Sequence, residues 1–128
     1  MSISIADKIL IEVKTKFNET QSNIDDDAFF FNYHIVITNN SPFSVQLLSR
    51  KWIINDSNGD NKMVEGMGVV GEQPVIEPNQ SYEYYSGCIL KTGFGKMHGE
   101  YTFLRLLDED LFDVKIPSFH FVLPWVLN

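Results

Sequence analysis

Three glycines in the middle of the chain have a spacing that is used elsewhere to bind phosphate groups. Gly66, Gly68 and Gly71 match the pattern G-x-G-x-x-G, in which glycine amides approach a pyrophosphate closely where a helix begins. Pro74 follows soon after, and no long helical period or βαβ unit surrounds the pattern, so we do not expect a Rossmann dinucleotide site. In an all-β protein, such glycines more often permit bulges and tight passage of the backbone.

The same segment could bind an anion without a helix. Successive backbone N–H groups of a glycine-rich loop form a concave nest, which here would hold pyrophosphate or a nucleoside polyphosphate, with Lys62 as one basic neighbour. The other candidate residues for this site, or for contact with a partner protein at the same loop, are Gly66, Gly68, Gly71, Glu72, Arg50 and Lys51.

Cys88 and His98 are the pair best suited to the roles of nucleophile and base. They lie equally far from Gly93, so a β-hairpin centred there would set them opposite each other on adjacent strands. No orienting acid or oxyanion donor accompanies them, and a free cysteine is commonly a small core residue. We therefore expect no catalytic residues and no enzymatic activity.

Metal-ligating residues are scattered along the sequence. His34, His98 and His120 fall in different predicted strands, without the close pairings of a zinc or iron site. The acidic triplets at residues 25–27 and 108–110 lack the spaced oxygen ligands of an EF-hand loop. We expect these triplets to be solvated turns, and we predict no metal and no cofactor.

Aromatic residues are concentrated on both sides of Gly93. Tyr84 and Tyr85 precede it and Tyr101 follows it, and all three are candidate contacts with a partner protein. If tyrosine and phenylalanine rings are exposed together on the predicted hairpin, they mark a recognition surface. Packing in the core is the expected position of at least half of the rings in this region.

The elements that carry these residues are predicted to be short strands. Residues 8–17 alternate with period two, and the later segments are rich in aromatic, β-branched and other apolar residues and are bounded by turn residues. We expect a polar connection at residues 18–27 and irregular or edge structure at residues 62–70. The predicted strands are residues 8–17, 28–38, 43–55, 81–90, 96–107, 111–116 and 118–123. About seven short strands without a helical period favour an all-β antiparallel sandwich of immunoglobulin or fibronectin type III kind.

Composition limits the classes of function. A chain of 128 residues with 44% hydrophobic residues is expected to fold around one core as a single domain spanning residues 1–128. Its formal charge of -7 argues against binding to nucleic acid or to an anionic membrane. Cys88 is the single cysteine and the first apolar run is too short for a signal peptide, so we expect a cytoplasmic protein.

Several blocks of sequence closely resemble the ApaG family. The most specific block is Gly-Val-Val-Gly-Glu-Gln-Pro at residues 68–74, and the resemblance covers nearly the whole chain. The other matching blocks are residues 45–56 with Gly59, residues 84–87, Leu90, residues 95–97, 99–101 and 116–119, and the terminal Leu127 and Asn128. The sequence departs from the usual pattern at Asn79, where glycine is common, and at Gly93, where proline is common. Asn79 is expected to keep its turn because asparagine tolerates positive φ.

The resemblance implies a fibronectin-type-III-like sandwich without an established enzymatic activity. Members are also called cobalt and magnesium efflux-associated proteins, and related domains in eukaryotic F-box and polymerase-interacting proteins resemble protein-interaction modules. Our first hypothesis is therefore a non-catalytic module that binds an unidentified partner protein. The alternative is a binder of pyrophosphate or a nucleoside polyphosphate at the glycine loop. A homodimer formed through an exposed edge strand is a further expectation.

Overall fold

Nine β-strands account for most of the chain that the structure describes. The structure is a computed structural model, and it describes the backbone of residues 2–126 and the side chains of residues 7–125. Leu127 and Asn128, which carry part of the family resemblance, lie outside the described residues. The strands are β1 (Ser2–Ala6), β2 (Ile9–Phe17), β3 (Phe29–Asn39), β4 (Val45–Asp56), β5 (Asn61–Met67), β6 (Val75–Ile76), β7 (Ser81–Leu90), β8 (Phe94–Arg105) and β9 (Asp110–Val122). Two 3-10 helices, at Ile24–Asp26 and Pro124–Val126, complete the described elements.

The strands form two antiparallel sheets. The first sheet has the order β1-β2-β3-β7, and the second has the order β5-β4-β8-β9, with β6 also paired with β4. The predicted all-β antiparallel sandwich is therefore confirmed, with nine described strands in place of about seven. Within the described residues, no helix is long and apolar enough to span a bilayer.

The core lies between the inner faces of the two sheets. Alternation along β2 buries Ile9, Ile11, Val13 and Phe17, as the period of two predicts. The second sheet contributes large side chains from β4, β8 and β9, including Trp52. Most of the apolar surface that stabilises the fold is buried in this one layer.

Two local expectations have different outcomes. Asn79 does adopt positive φ, at 66°, so the asparagine keeps the expected turn. The predicted break at Pro117 is wrong, because β9 runs through it as one strand. The pairing shifts there between Met97 and Gly99, and proline is tolerated because it lies at a bulge on an edge strand.

The predicted hairpin between residues 81–90 and 96–107 is also wrong. β7 pairs with β3 in the first sheet, whereas β8 pairs with β4 and β9 in the second. The connection around Gly93 thus crosses from one sheet to the other. Both strands bury one face, so the alternation in the sequence fits strands that face each other across the core as well as strands that are neighbours.

The two sides of the sandwich differ. On one side, β1 and β2 pack against β9, which brings the sheets together. On the other side, β7 ends the first sheet and β5 ends the second, and a groove of about 720 Å³ lies between them. Residues 62–70 were expected to be irregular or edge structure, and β5 is indeed an edge strand.

A buried asparagine fixes the end of the sandwich where β3, β4 and β6 meet. Asn39 is fully buried, and its Nδ2 donates hydrogen bonds to the carbonyl oxygens of Phe43 (2.7 Å) and Ile76 (2.9 Å). Its Oδ1 accepts from the N–H and the hydroxyl of Ser41. All of its hydrogen-bonding capacity is therefore used within the protein.

Replacing this side chain should destabilise the fold. Asn39→Ala removes the amide that bonds two carbonyls, one N–H and one hydroxyl in a buried place, so we expect the free energy of unfolding to fall by roughly 3 kcal/mol. The neighbouring Asn40 is exposed, and Asn40→Ala should change it by less than about 0.5 kcal/mol. Urea denaturation measures both variants, and equal losses would contradict the assigned role of Asn39.

Candidate functional site

The glycine-rich segment forms a tight turn. Val69 and Glu72 exchange both backbone hydrogen bonds, at 2.8 and 2.9 Å, and between them Val70 and Gly71 have φ values of 42° and 83°. Positive φ at both central residues defines a type I′ turn. The pattern therefore serves a backbone turn after a strand, and no helix begins there, as the sequence indicated.

Hydrogen bonds fasten this turn to β4. The N–H of Gly68 and the side-chain amide of Gln73 both donate to the carbonyl oxygen of Leu48, at 2.7 and 2.9 Å. Leu48 lies where the pairing of β4 with β8 shifts. The Glu72 carboxylate accepts a hydrogen bond from the Tyr82 hydroxyl at 3.0 Å, so the turn also touches β7.

Arg50 points into the sandwich from β4. It lies opposite Tyr101 and Gly66 in the neighbouring strands, and residues that face each other across paired strands share one side of the sheet. Its Nη1 donates to the carbonyl oxygens of Gly68 (2.9 Å) and Met67 (3.3 Å). A Cβ at Gly66 would lie 2.7 Å from Nη1, so this glycine makes room for the guanidinium.

The geometry separates two residues that the sequence grouped at one anion site. Successive residues of a strand point to opposite faces, so Lys51 lies on the outer face of the second sheet, where its strand partners are Glu65 and Glu100. Arg50 and Lys51 thus cannot hold one ligand at the glycine turn. The turn presents carbonyl oxygens to Arg50, which is the wrong polarity for an anion nest.

Two of the three candidate surface tyrosines are in the core. Tyr84 and Tyr101 are 5% and 0% exposed, and their hydroxyls hydrogen-bond to each other across the two sheets. Burial raises the pKa of both phenols, which keeps them neutral. Tyr85 alone is exposed, with its ring stacked on His34 at 4.2 Å. The prediction of an exposed aromatic surface on a hairpin is therefore wrong, because alternation turns Tyr84 inwards and Tyr85 outwards.

The groove of about 720 Å³ between β5 and β7 is lined by residues of both sheets. The second sheet contributes Arg50, Trp52 and Lys62 to its lining, and the first sheet contributes Tyr33 and Cys88. Its volume lies in the range of sites that bind ligands. We name it the β5–β7 groove. Sequence reasoning missed it because it depends on which strands end the two sheets.

Cys88 lies on the floor of this groove, but it is not paired with His98. Its strand partner is Phe31, whereas His98 pairs with Ile53 in the other sheet. Burial raises the pKa of the Cys88 thiol to about 11, so the nucleophilic thiolate is scarce at neutral pH. Among the described residues, no group of three His, Cys, Asp or Glu side chains is arranged to hold a metal ion.

Fold and groove define a class of protein: a two-sheet antiparallel sandwich that is closed at one side and open at the other. Comparison with known proteins gives the family. The family model for the ApaG domain matches residues 19–105. A Protein ApaG from Azoarcus sp. (strain BH72) is 41% identical over the whole of both chains. One from Vibrio cholerae is 46% identical over 94% of each. The chain belongs to the ApaG family.

Solved structures agree with this assignment. A crystal structure of a Bordetella pertussis protein superposes with a TM-score of 0.87 and 34% identity, and the match covers 91% of this chain and 94% of that one. A second X-ray structure superposes with a TM-score of 0.86 and 41% identity, over 92% of this chain and 89% of the other. The sandwich is therefore shared with experimentally determined relatives.

Two alanine substitutions should separate the roles of the turn glycines. Alanine at Gly68 would collide with the backbone carbonyl of Glu72, whereas a Cβ at Gly71 meets nothing within 4 Å. Both positions have positive φ, so Gly71→Ala should lose roughly 1 kcal/mol of unfolding free energy from backbone strain alone. Gly68→Ala should lose at least about twice as much. Urea denaturation that ranks the two variants in reverse order would contradict this geometry.

The Cys88 thiol should react slowly. With its pKa raised to about 11, the thiolate fraction at pH 7.5 should be roughly 100-fold below that of an ordinary thiol. Alkylation by iodoacetamide should therefore be at least that much slower in the folded protein than in urea, and it should accelerate as the pH rises towards 11. Rapid alkylation of the folded protein at pH 7.5 would show an activated cysteine.

Proposed function

We propose that this chain is a non-catalytic protein-interaction module and that it binds an extended segment of a partner protein in the β5–β7 groove. The single observation that carries the proposal is that the groove lies between β5 and β7, the end strands of the two sheets, which have no further strand beside them in the described part of the chain. An unpaired edge offers backbone N–H and C=O groups to an added strand.

The character of β7 supports this mode of binding. Proteins usually protect an exposed edge with prolines, charges or a short strand. β7 is ten residues long, contains no proline, and carries Glu83 as its only charged residue. The outward-facing Tyr85 and Ile89 are 67% and 64% exposed. This strand is therefore suited to recognising another backbone.

The walls of the groove support binding to side chains of that segment. Trp52, Tyr33 and Met97, which are only 2%, 6% and 2% exposed, form its apolar floor, and Val64 lines the wall at β5. Aromatic side chains bury a large area at a small cost in conformational entropy, which is why they dominate binding hot spots. An extended segment with one apolar side chain directed into the groove would bury it against these residues.

The absence of catalysis is part of the proposal. The one cysteine of the groove is a neutral thiol at neutral pH, and its strand lies in a different sheet from that of His98. We further propose a cytoplasmic location, as the single cysteine suggests. The link to cobalt and magnesium handling that the resemblance implies would then act through the partner protein.

Matched substitutions on β5 test the proposed site. Val64 and Met63 are neighbours that face opposite sides of the strand, with Val64 lining the groove and Met63 60% exposed outside it. Peptides selected from a random phage-displayed library should lose at least roughly tenfold in affinity for Val64→Arg, because a desolvated apolar contact is replaced by a charge. Their affinity for Met63→Arg should be within about twofold of their affinity for the parent protein.

Chemical-shift mapping by NMR locates the same peptides on the protein. Bound peptides should shift the backbone amides of β5 and β7. The proposed module would be contradicted if no binding peptide is selected. It would also be contradicted if Met63→Arg lowers peptide affinity more than Val64→Arg does.

A further inference from the structure

Two of the three cations that line the β5–β7 groove, Arg50 and Lys62, lie at a fixed spacing. In the pairing of β4 with β5, Arg50 is opposite Gly66, Trp52 is opposite Val64, and Ile54 is opposite Lys62. Trp52 is only 2% exposed, so this set of positions faces the inside of the sandwich. The inner face of β5 therefore presents Lys62, Val64 and Gly66 in order along the strand.

Arg50 supplies the side chain that Gly66 lacks. Its guanidinium lies over Gly66, since a Cβ there would approach Nη1 and Cζ at 2.7 and 3.0 Å. The wall of the groove thus has a cation, an apolar side chain and a second cation at alternate positions. Alternate residues of a strand are roughly 6.7 Å apart, so the two cations are separated by about 13 Å.

Neither cation belongs to an ion pair within the described part of the chain. The groove also holds two carboxylates: Asp60 pairs with Lys91 at 3.6 Å, and Asp56 accepts a hydrogen bond from the backbone N–H of Lys91 at 2.6 Å. The described ion pairs include neither Arg50 nor Lys62.

The loop carbonyls use only one end of the Arg50 guanidinium. Nη1 donates both of the described hydrogen bonds of this side chain, which leaves Nε and Nη2 for another acceptor. A guanidinium fork with two free donors matches a carboxylate in geometry and in charge.

We propose that the segment bound in this groove carries two acidic side chains separated by three residues, with an apolar residue midway between them. An extended segment repeats its side chains every two residues, so the acid-x-apolar-x-acid pattern has the same spacing as Lys62, Val64 and Arg50. Opposite charges on facing positions of paired strands attract. The inference rests on the proposed function, because it specifies the chemistry of the partner for the same groove.

The overall charge of the chain limits the number of acids in that partner. At -7, the protein repels a polyacidic chain at long range, and this repulsion is screened within about 10 Å at ordinary salt. Two carboxylates that contact two unpaired cations gain their attraction at short range. The chemistry therefore fits a short segment with two acids better than an acidic tail.

The test uses three synthetic peptides and the complete chain. The probe is acetyl-Thr-Glu-Thr-Val-Thr-Glu-Thr-amide, and in the first control glutamine replaces both glutamates. The second control, acetyl-Thr-Glu-Thr-Val-Glu-Thr-Thr-amide, keeps the charge but turns one acid to the opposite face. We expect the probe to bind at least roughly tenfold more tightly than either control. Added salt should weaken binding of the probe and leave binding of the glutamine peptide unchanged.

Substitutions assign the effect to the two cations. Arg50→Gln should weaken binding of the probe roughly tenfold. Lys62→Gln, at an exposed position, should weaken it roughly threefold. Lys51→Gln, the adjacent residue on the outer face, should change it by less than about twofold. Lys62→Gln removes no described hydrogen bond or ion pair, so it keeps the test sound if Arg50→Gln loosens the turn.

The outcomes distinguish the two proposals. If the glutamine peptide binds the groove as tightly as the probe, or if Lys62→Gln and Lys51→Gln act alike, the acidic pattern is wrong while the groove remains a binding site. If library-selected peptides and the probe all leave the amides of β5 and β7 unshifted, the proposed function itself is wrong. Self-association that depends on Lys62 would assign the groove to a second copy of this chain and overturn the proposed partner.

Discussion

An arginine turned towards the inside of a β-sandwich is the constraint on which the rest of the site depends. The N–H groups of a guanidinium that turn away from water need hydrogen-bond acceptors, because an unpaired polar group is costly to bury. Arg50 finds two in the carbonyls of Met67 and Gly68, and those carbonyls are held in place by the type I′ turn that follows them. The absence of a side chain at Gly66 gives the guanidinium its space. The conspicuous glycines thus position an arginine.

This arrangement explains why the sandwich is closed at one side and open at the other. Near β9, apolar side chains such as Phe119 and Phe121 interdigitate and let the sheets meet. Towards β5, the inner face of the second sheet carries Lys62 and Arg50, which cannot be covered by an apolar sheet at a comparable free energy. The first sheet ends at β7 without a further strand, and the groove remains accessible.

Much of the fold followed from sequence periodicity, whereas the site did not. Alternation predicted β2 closely, because a half-buried strand has to show its two faces in its residues. Runs of aromatic, β-branched and other apolar residues that end at turn residues predicted β3 and β4 closely. The hairpin around Gly93 was wrong because a short connection does not reveal whether it joins neighbours or crosses the core. That error also placed Tyr84 and Tyr101 on a surface. Arg50 and Lys51 were grouped by proximity in the sequence, although a strand separates adjacent residues onto opposite faces.

Hydrogen exchange of the backbone amides tests the central claim, that the edges of β5 and β7 receive an extended segment, most directly. Amides at a free strand edge exchange with solvent, and pairing with an added strand protects them. The account predicts that a peptide bound at saturation slows exchange in β5, in β7 or in both, with the amides of β8 and β9 unaffected. Protection confined to Val70 and Gly71 at the turn, or to β9 at the closed side, would contradict it.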